Sequence, residues 1–152
     1  VLGMDPTTQR RELFRQLGVQ FQDSGFQPGI RVGEICEFTA ALYGPGGKSG
    51  PEAPPDWRSM LTRFDLEKRW KTPVDSLSGG ERQKLSILLA CLHRPKLVFL
   101  DELTTGLDPL ARRATWGMIK AMQQEGVTVL LTSHFMDEVE FLCRRCLCSK
   151  TG

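Results

Sequence analysis

The chain has 152 residues, 40% of them hydrophobic, and a formal net charge of +2. That size and apolar content allow one substantial core, and a near-neutral balance makes neither nucleic acid nor an acidic membrane an obligatory partner. The longest apolar stretches, Ile87 to Leu92 and Val129 to Leu131, fall far short of a spanning helix and no signal peptide opens the chain, so membrane contact is expected only through another polypeptide.

Residues from about 7 to 17 read as helix or turn leading into a strand over Val19 to Gln22, followed by a loop over Phe26 to Gly29. Val32 to Tyr43 has helical spacing, with Ile35, Phe38, Leu42 and Tyr43 expected on one apolar face. Gly44 to Pro55 is rich in glycine and proline and reads as a surface loop. Within it, Gly46-Gly47-Lys48-Ser49 imitates the tail of a phosphate-binding loop, but Leu42 stands where that loop needs its first glycine and no apolar strand leads in. Asp56 is expected to cap a helix running to about Phe64, with Trp57, Met60, Leu61 and Phe64 as its apolar stripe. The basic run Lys68 to Lys71 reads as a solvated face before the turn at Thr72-Pro73, since a nucleic-acid patch would want more aromatic interleaving.

Ser78-Gly79-Gly80-Glu81 precedes Leu85, Leu88, Leu89 and Leu92 at helical spacing, which predicts a helix from about 80 to Leu92 whose mouth is lined by glycine amides. Unpaired amide donors and the positive end of the helix dipole favour an anion there, and glycine lets a phosphate approach the backbone. Pro95 ends the helix. Leu97 to Leu100 then has the length and composition of a buried parallel strand, which delivers Asp101 and Glu102 at its carboxyl end. Open α/β sheets bind ligands at that end, and two adjacent acids there divide naturally into a metal ligand and a proton acceptor. After Thr104 to Pro109 a helix is expected to about Gln124, with Ala111, Ala114, Ile119 and Met122 buried. Gly126 stops it, and a strand over Val127 to Thr132 runs into Ser133-His134.

In this order, Leu77 to Glu81, Leu97 to Glu102, Thr104 to Pro109 and Val127 to His134 resemble the second half of an ATP-binding cassette (ABC) ATPase, the likeness running from about Val1 to about Arg145. The resemblance implies an α/β fold: part of a P-loop NTPase (RecA-like) core with a mainly parallel sheet, plus an inserted helical subdomain. Its expected divisions are residues 1–24 as a core segment, 25–94 as the helical subdomain ending in the signature loop and helix, and 95–152 as a second core segment. It implies ATP and Mg2+ as cofactors. Ser78, Gly79, Gly80 and Glu81 fall in the signature loop, Asp101 on the metal, Glu102 as catalytic base, Asp108 in the D-loop and His134 against the γ-phosphate. Gln22 takes the place of the Q-loop glutamine, which senses the metal and the transporter's membrane domain. Leu103 stands where many relatives carry proline.

The Gly-x-x-x-x-Gly-Lys-Ser/Thr loop of the family is absent from the sequence; Val1 to Pro6 matches a segment that follows it, so the chain is expected to begin downstream of that loop. The implied function is ATP hydrolysis by a subunit of a transporter, in the branch that exports drugs or other small hydrophobic cargo. The implied partners are a second nucleotide-binding subunit in a head-to-tail dimer and a transmembrane permease, without nucleic acid. That places the protein in the cytoplasm, at the inner face of the cell membrane. Two alternatives stand beside it: a non-catalytic half-site lending its signature loop to an intact subunit, and a soluble ABC ATPase outside transport.

The five cysteines, an odd number without an export signal, suggest reduced thiols in the cytosol. Cys36 and Cys91 are expected in the core. Cys143, Cys146 and Cys148 lack a fourth ligand for zinc and read as a helix end followed by a short strand.

Overall fold

The computed structural model describes residues 1–20, 25–43 and 56–145. Three strands, β1 (Leu17–Gln20), β2 (Leu97–Asp101) and β3 (Thr128–Thr132), form a parallel sheet in that spatial order. The helices of the described residues are α1 (Arg10–Arg15), α2 (Val32–Tyr43), α3 (Trp57–Arg63), α4 (Gly79–Cys91), α5 (Pro109–Gln124) and α6 (Met136–Leu142), with 3-10 turns at Glu67–Arg69 and Val74–Ser76. The acidic strand is therefore central, as its apolar run predicts.

β1 starts two residues before the expected Val19, pairing Leu17 with Leu97 and Gln20 with Leu100. Its position follows from Gly18: a Cβ there would lie 2.1 Å from the carbonyl oxygen of Ala90, so α4 crosses β1 at backbone contact. Gln22, the end of the expected strand, lies outside the described residues, as do Gly44 to Pro55, Cys146 and Cys148.

α2 has its expected ends but turns the other way. Val32, Gly33, Cys36 and Ala40 are buried, whereas Phe38 is 60% and Leu42 65% exposed. Close approach decided this over bulk: the Gly33 amide donates to the Trp70 carbonyl at 2.8 Å, and a Cβ on Gly33 would stand 3.0 Å from that oxygen. Larger side chains on that face would hold the segments apart. Ile35, one of the expected face, does pack partly buried against the core.

α3 follows expectation, with Asp56 Oδ1 accepting from the amides of Arg58 (3.2 Å) and Ser59 (3.3 Å), and with Leu61 and Phe64 buried. The basic run is not wholly solvated, because Arg69 pairs with Glu81 at 2.7 Å. α4 buries Leu85, Ile87, Leu88, Ala90 and Cys91, more than a single stripe, because it packs on α2, α5 and the sheet together. It ends at Cys91, before Pro95, with Arg94 in the left-handed region at φ +54°.

Along α5, Ile119 and Met122 are buried with Thr115 and Trp116, while Ala111 is half-buried and Ala114 exposed. The small alanines yield the core side to the larger residues one turn away. α6 docks on α5 through the indole N–H of Trp116, which donates to the buried Glu138 Oε1 at 2.8 Å. It ends at Leu142 with Cys143 as its cap, the helix end expected there. Cys36 and Cys91 are buried free thiols, and desolvation pushes both up to about 12, which makes them inert core residues.

One cluster joins α2, α3, α4, α5 and the face of the sheet carrying Val98 and Leu100. On the opposite face, register aligns Val19, Phe99 and Leu130 in a row across the three strands, with Val19 38% and Leu130 50% exposed.

Candidate functional site

The carboxyl end of β2 gathers the acids. Asp101 is paired in register with Thr132 of β3, and Thr132 Oγ1 donates to Asp101 Oδ1. The Asp101 amide donates to the side-chain oxygen of Gln20 at 3.3 Å, and Gln20 is buried. The central acid is thus held by its backbone from β1 and by its carboxylate from β3.

Glu102 leaves the strand with φ +44°, a left-handed conformation uncommon for a residue with a side chain. The turn is fixed by its amide, which donates to both the carbonyl and the hydroxyl oxygen of Thr132 at 3.2 Å each. Its carboxylate Oε1 stands 2.6 Å from His134 Nε2. A carboxylate only accepts, so Nε2 carries the proton in this contact. His134 is 79% exposed at its side chain and Glu102 23%, so the pair faces outward from the sheet edge. Leu103, in the place of the usual proline, is buried beneath the turn beside the buried Thr104.

The donor set fits a magnesium-bound nucleotide. Among the described residues no donor reaches Asp101 Oδ2, and no group of three or more His, Cys, Asp or Glu forms an all-protein cage. Mg2+ characteristically takes one or two carboxylates and fills its remaining positions with phosphate oxygens and water.

A second cluster forms at the start of α4. Ser78 and Glu81 make a capping box: the Glu81 amide donates to Ser78 Oγ at 3.2 Å and the Ser78 amide to Glu81 Oε2 at 3.0 Å. The Ser78 amide, then Arg69, hold the Glu81 carboxyl below its usual range. Glu81 accordingly shapes the helix mouth. Gly79 and Gly80 supply first-turn amides, which lack intrahelical acceptors. A Cβ on Gly80 would lie 3.1 Å from Ala111 Cβ, and one on Gly79 would lie 3.9 Å from Leu107 Cδ2. The glycines therefore sit against the segment around Asp108, whose Oδ1 caps α5 by accepting from Leu110 and Ala111 at 3.0 Å each.

The structure thus brings Asp101, Glu102 and His134 together at one end of the sheet, and Ser78 to Glu81 with Asp108 at another place. Sequence reasoning missed Thr132 and Gln20. Each lies two residues before an expected site residue, and Gln20 is a polar residue on the core side of a strand, which is the signal that could have marked it.

Known proteins resemble the chain in sequence and in fold. The family model described as ABC transporter matches residues 2–105. The chain is 35% identical over 144 residues to the probable multidrug ABC transporter ATP-binding protein YbhF of Escherichia coli K12, covering 95% of this chain and 24% of that protein. It is 34% identical over 152 residues to the Nod factor export ATP-binding protein I of Rhizobium etli, covering 100% of this chain and 47% of that one. A solved ATP binding subunit of an ABC transporter superposes with a TM-score of 0.74 at 25% identity, over 94% of this chain and 58% of the other. The fold is that of an α/β domain of the P-loop ATPase class. The chain belongs to the ABC transporter family. It spans half or less of the length of these two curated relatives, and no helix among its described residues is long and apolar enough to cross a membrane.

Proposed function

We propose that this chain is part of the ATP-hydrolysing subunit of a transporter that exports drugs or other small hydrophobic cargo. The observation that carries the reading is the Glu102–His134 contact of 2.6 Å beside Asp101 at the carboxyl end of the central strand. Asp101 would hold Mg2+, which would supply neutralising charge to the nucleotide phosphates. Glu102 accepts a proton from the attacking water, and His134 orients that carboxylate and contacts the γ-phosphate. Gln22 follows β1 and links the metal to the membrane partner.

Ser78, Gly79, Gly80 and Glu81 form the signature face, which completes the site of a second subunit in a head-to-tail dimer, with Asp108 at the junction. Residues 25–94 act as the helical subdomain contacting a permease, between core segments 1–24 and 95–152. The subunit works in the cytoplasm at the inner face of the membrane. Names of the relatives that refer to multidrug transport and Nod factor export support the export branch.

Glu102→Gln in the full-length protein tests this reading. It is expected to retain ATP binding, to slow hydrolysis at least a hundredfold, and to leave cells as drug-sensitive as a deletion. Wild-type turnover in that variant overturns the assignment of Glu102.

A further inference from the structure

We propose that Thr132 is the positioning residue for the metal-binding carboxylate, an inference that rests on the reading of Asp101 as the Mg2+ ligand. A hydroxyl has one proton to give and two lone pairs to accept with. Thr132 Oγ1 gives its proton to Asp101 Oδ1 and accepts from the Glu102 amide at 3.2 Å, so one side chain on β3 engages the Asp101 carboxylate and the Glu102 backbone. The consequence for Asp101 is directional. With Oδ1 tied to the neighbouring strand, rotation about the Cα–Cβ and Cβ–Cγ bonds is restrained, and Oδ2 is the oxygen left for the metal.

The two acids depend on Thr132 unequally. The Glu102 amide has a second acceptor in the carbonyl oxygen of residue 132, also at 3.2 Å, which is independent of the side chain. The Asp101 carboxylate has no such substitute among the described residues. Loss of the hydroxyl therefore loosens the metal ligand while the backbone turn that places Glu102 keeps its anchor. Partners that orient a metal ligand typically change metal affinity by about tenfold to a hundredfold.

The experiment measures the affinity of the full-length protein for the non-hydrolysable analogue AMP-PNP with Mg2+ and with EDTA, and takes the ratio as the metal-dependent gain. Thr132→Val keeps the β-branched shape that suits the strand, and it is expected to lower that gain about tenfold with unchanged affinity in EDTA. Thr132→Ser keeps the hydroxyl and is expected to keep the gain. Asp101→Asn is the reference that abolishes it. An unaltered gain in Thr132→Val, with the gain lost in Asp101→Asn, overturns the role of Thr132 and leaves the metal reading intact. A gain lost in Thr132→Ser relative to wild type overturns it too, and that comparison stands even where Thr132→Val does not hold its fold. If Asp101→Asn equals wild type, the metal reading falls and the proposal with it.

Discussion

The contact between His134 Nε2 and Glu102 Oε1, 2.6 Å long, ties the end of β3 to the turn after β2. In it the ring donates and the carboxylate accepts. His134→Ala removes both the restraint on Glu102 and a contact to the reacting phosphate. Its expected effect is about a hundredfold slower ATP turnover in the full-length protein, the usual loss when one oriented donor is removed. Steady-state hydrolysis measures it, and wild-type turnover would reduce His134 to a strand-end residue. At this scale Asp101 and Glu102 are legible as the acids that end an apolar run, and His134 through the resemblance to ABC ATPases. Thr132 is not. Its role depends on which residue of β2 it faces, and that is a property of register.

Among the elements, α4 is the most constrained. It begins at a capping box beside the α5 segment, packs on α2, and crosses β1 where Gly18 has no side chain. A methyl group at residue 18 would meet a backbone carbonyl 2.1 Å away, and backbone moves less readily than the end of a flexible side chain. Gly18→Ala is therefore expected to destabilise the full-length protein by about 3 kcal/mol, read as a lower urea midpoint with unchanged slope. An unchanged midpoint would mean that α4 slides on β1 without cost. The reversed face of α2 has the same origin: Gly33, Cys36 and Ala40 are weak in any sum of hydrophobicity, yet they are the residues that let a helix come close.

Across the whole molecule, His93 ties the end of α4 to both the sheet and α2. Its Nε2 lies 2.9 Å from the Leu17 carbonyl, to which it donates, and its ring stacks on Tyr43 with centroids 4.0 Å apart. Among the described residues no partner reaches its buried Nδ1, so adding a proton there places a charge in the interior without a matching acceptor among them. Desolvation accordingly holds His93 below its ordinary 6.5 despite the Leu17 contact. Since the folded form binds protons less readily than the unfolded one, this contribution to stability is complete above pH 6.5 and is lost as pH falls through the lower folded value. Melting temperatures of the full-length protein are expected to drop between pH 7 and 5. That drop should be smaller in His93→Phe, which keeps an aromatic ring at the stack; equal drops in both proteins would remove His93 as the cause.

By itself the sequence determined the order of the motifs, the central acidic strand, the cap at Asp56, and the two places where a nucleotide is expected to be met. These rest on local chemistry: glycine at a helix mouth, a carboxylate ahead of unpaired amides, and apolar residues in a short run. Only the tertiary structure decided which side of α2 is buried, why β1 begins at Leu17, and that Thr132 and Gln20 hold Asp101 from neighbouring strands. Those outcomes depend on register and on how closely two backbones approach, quantities that exist only after distant segments have packed together.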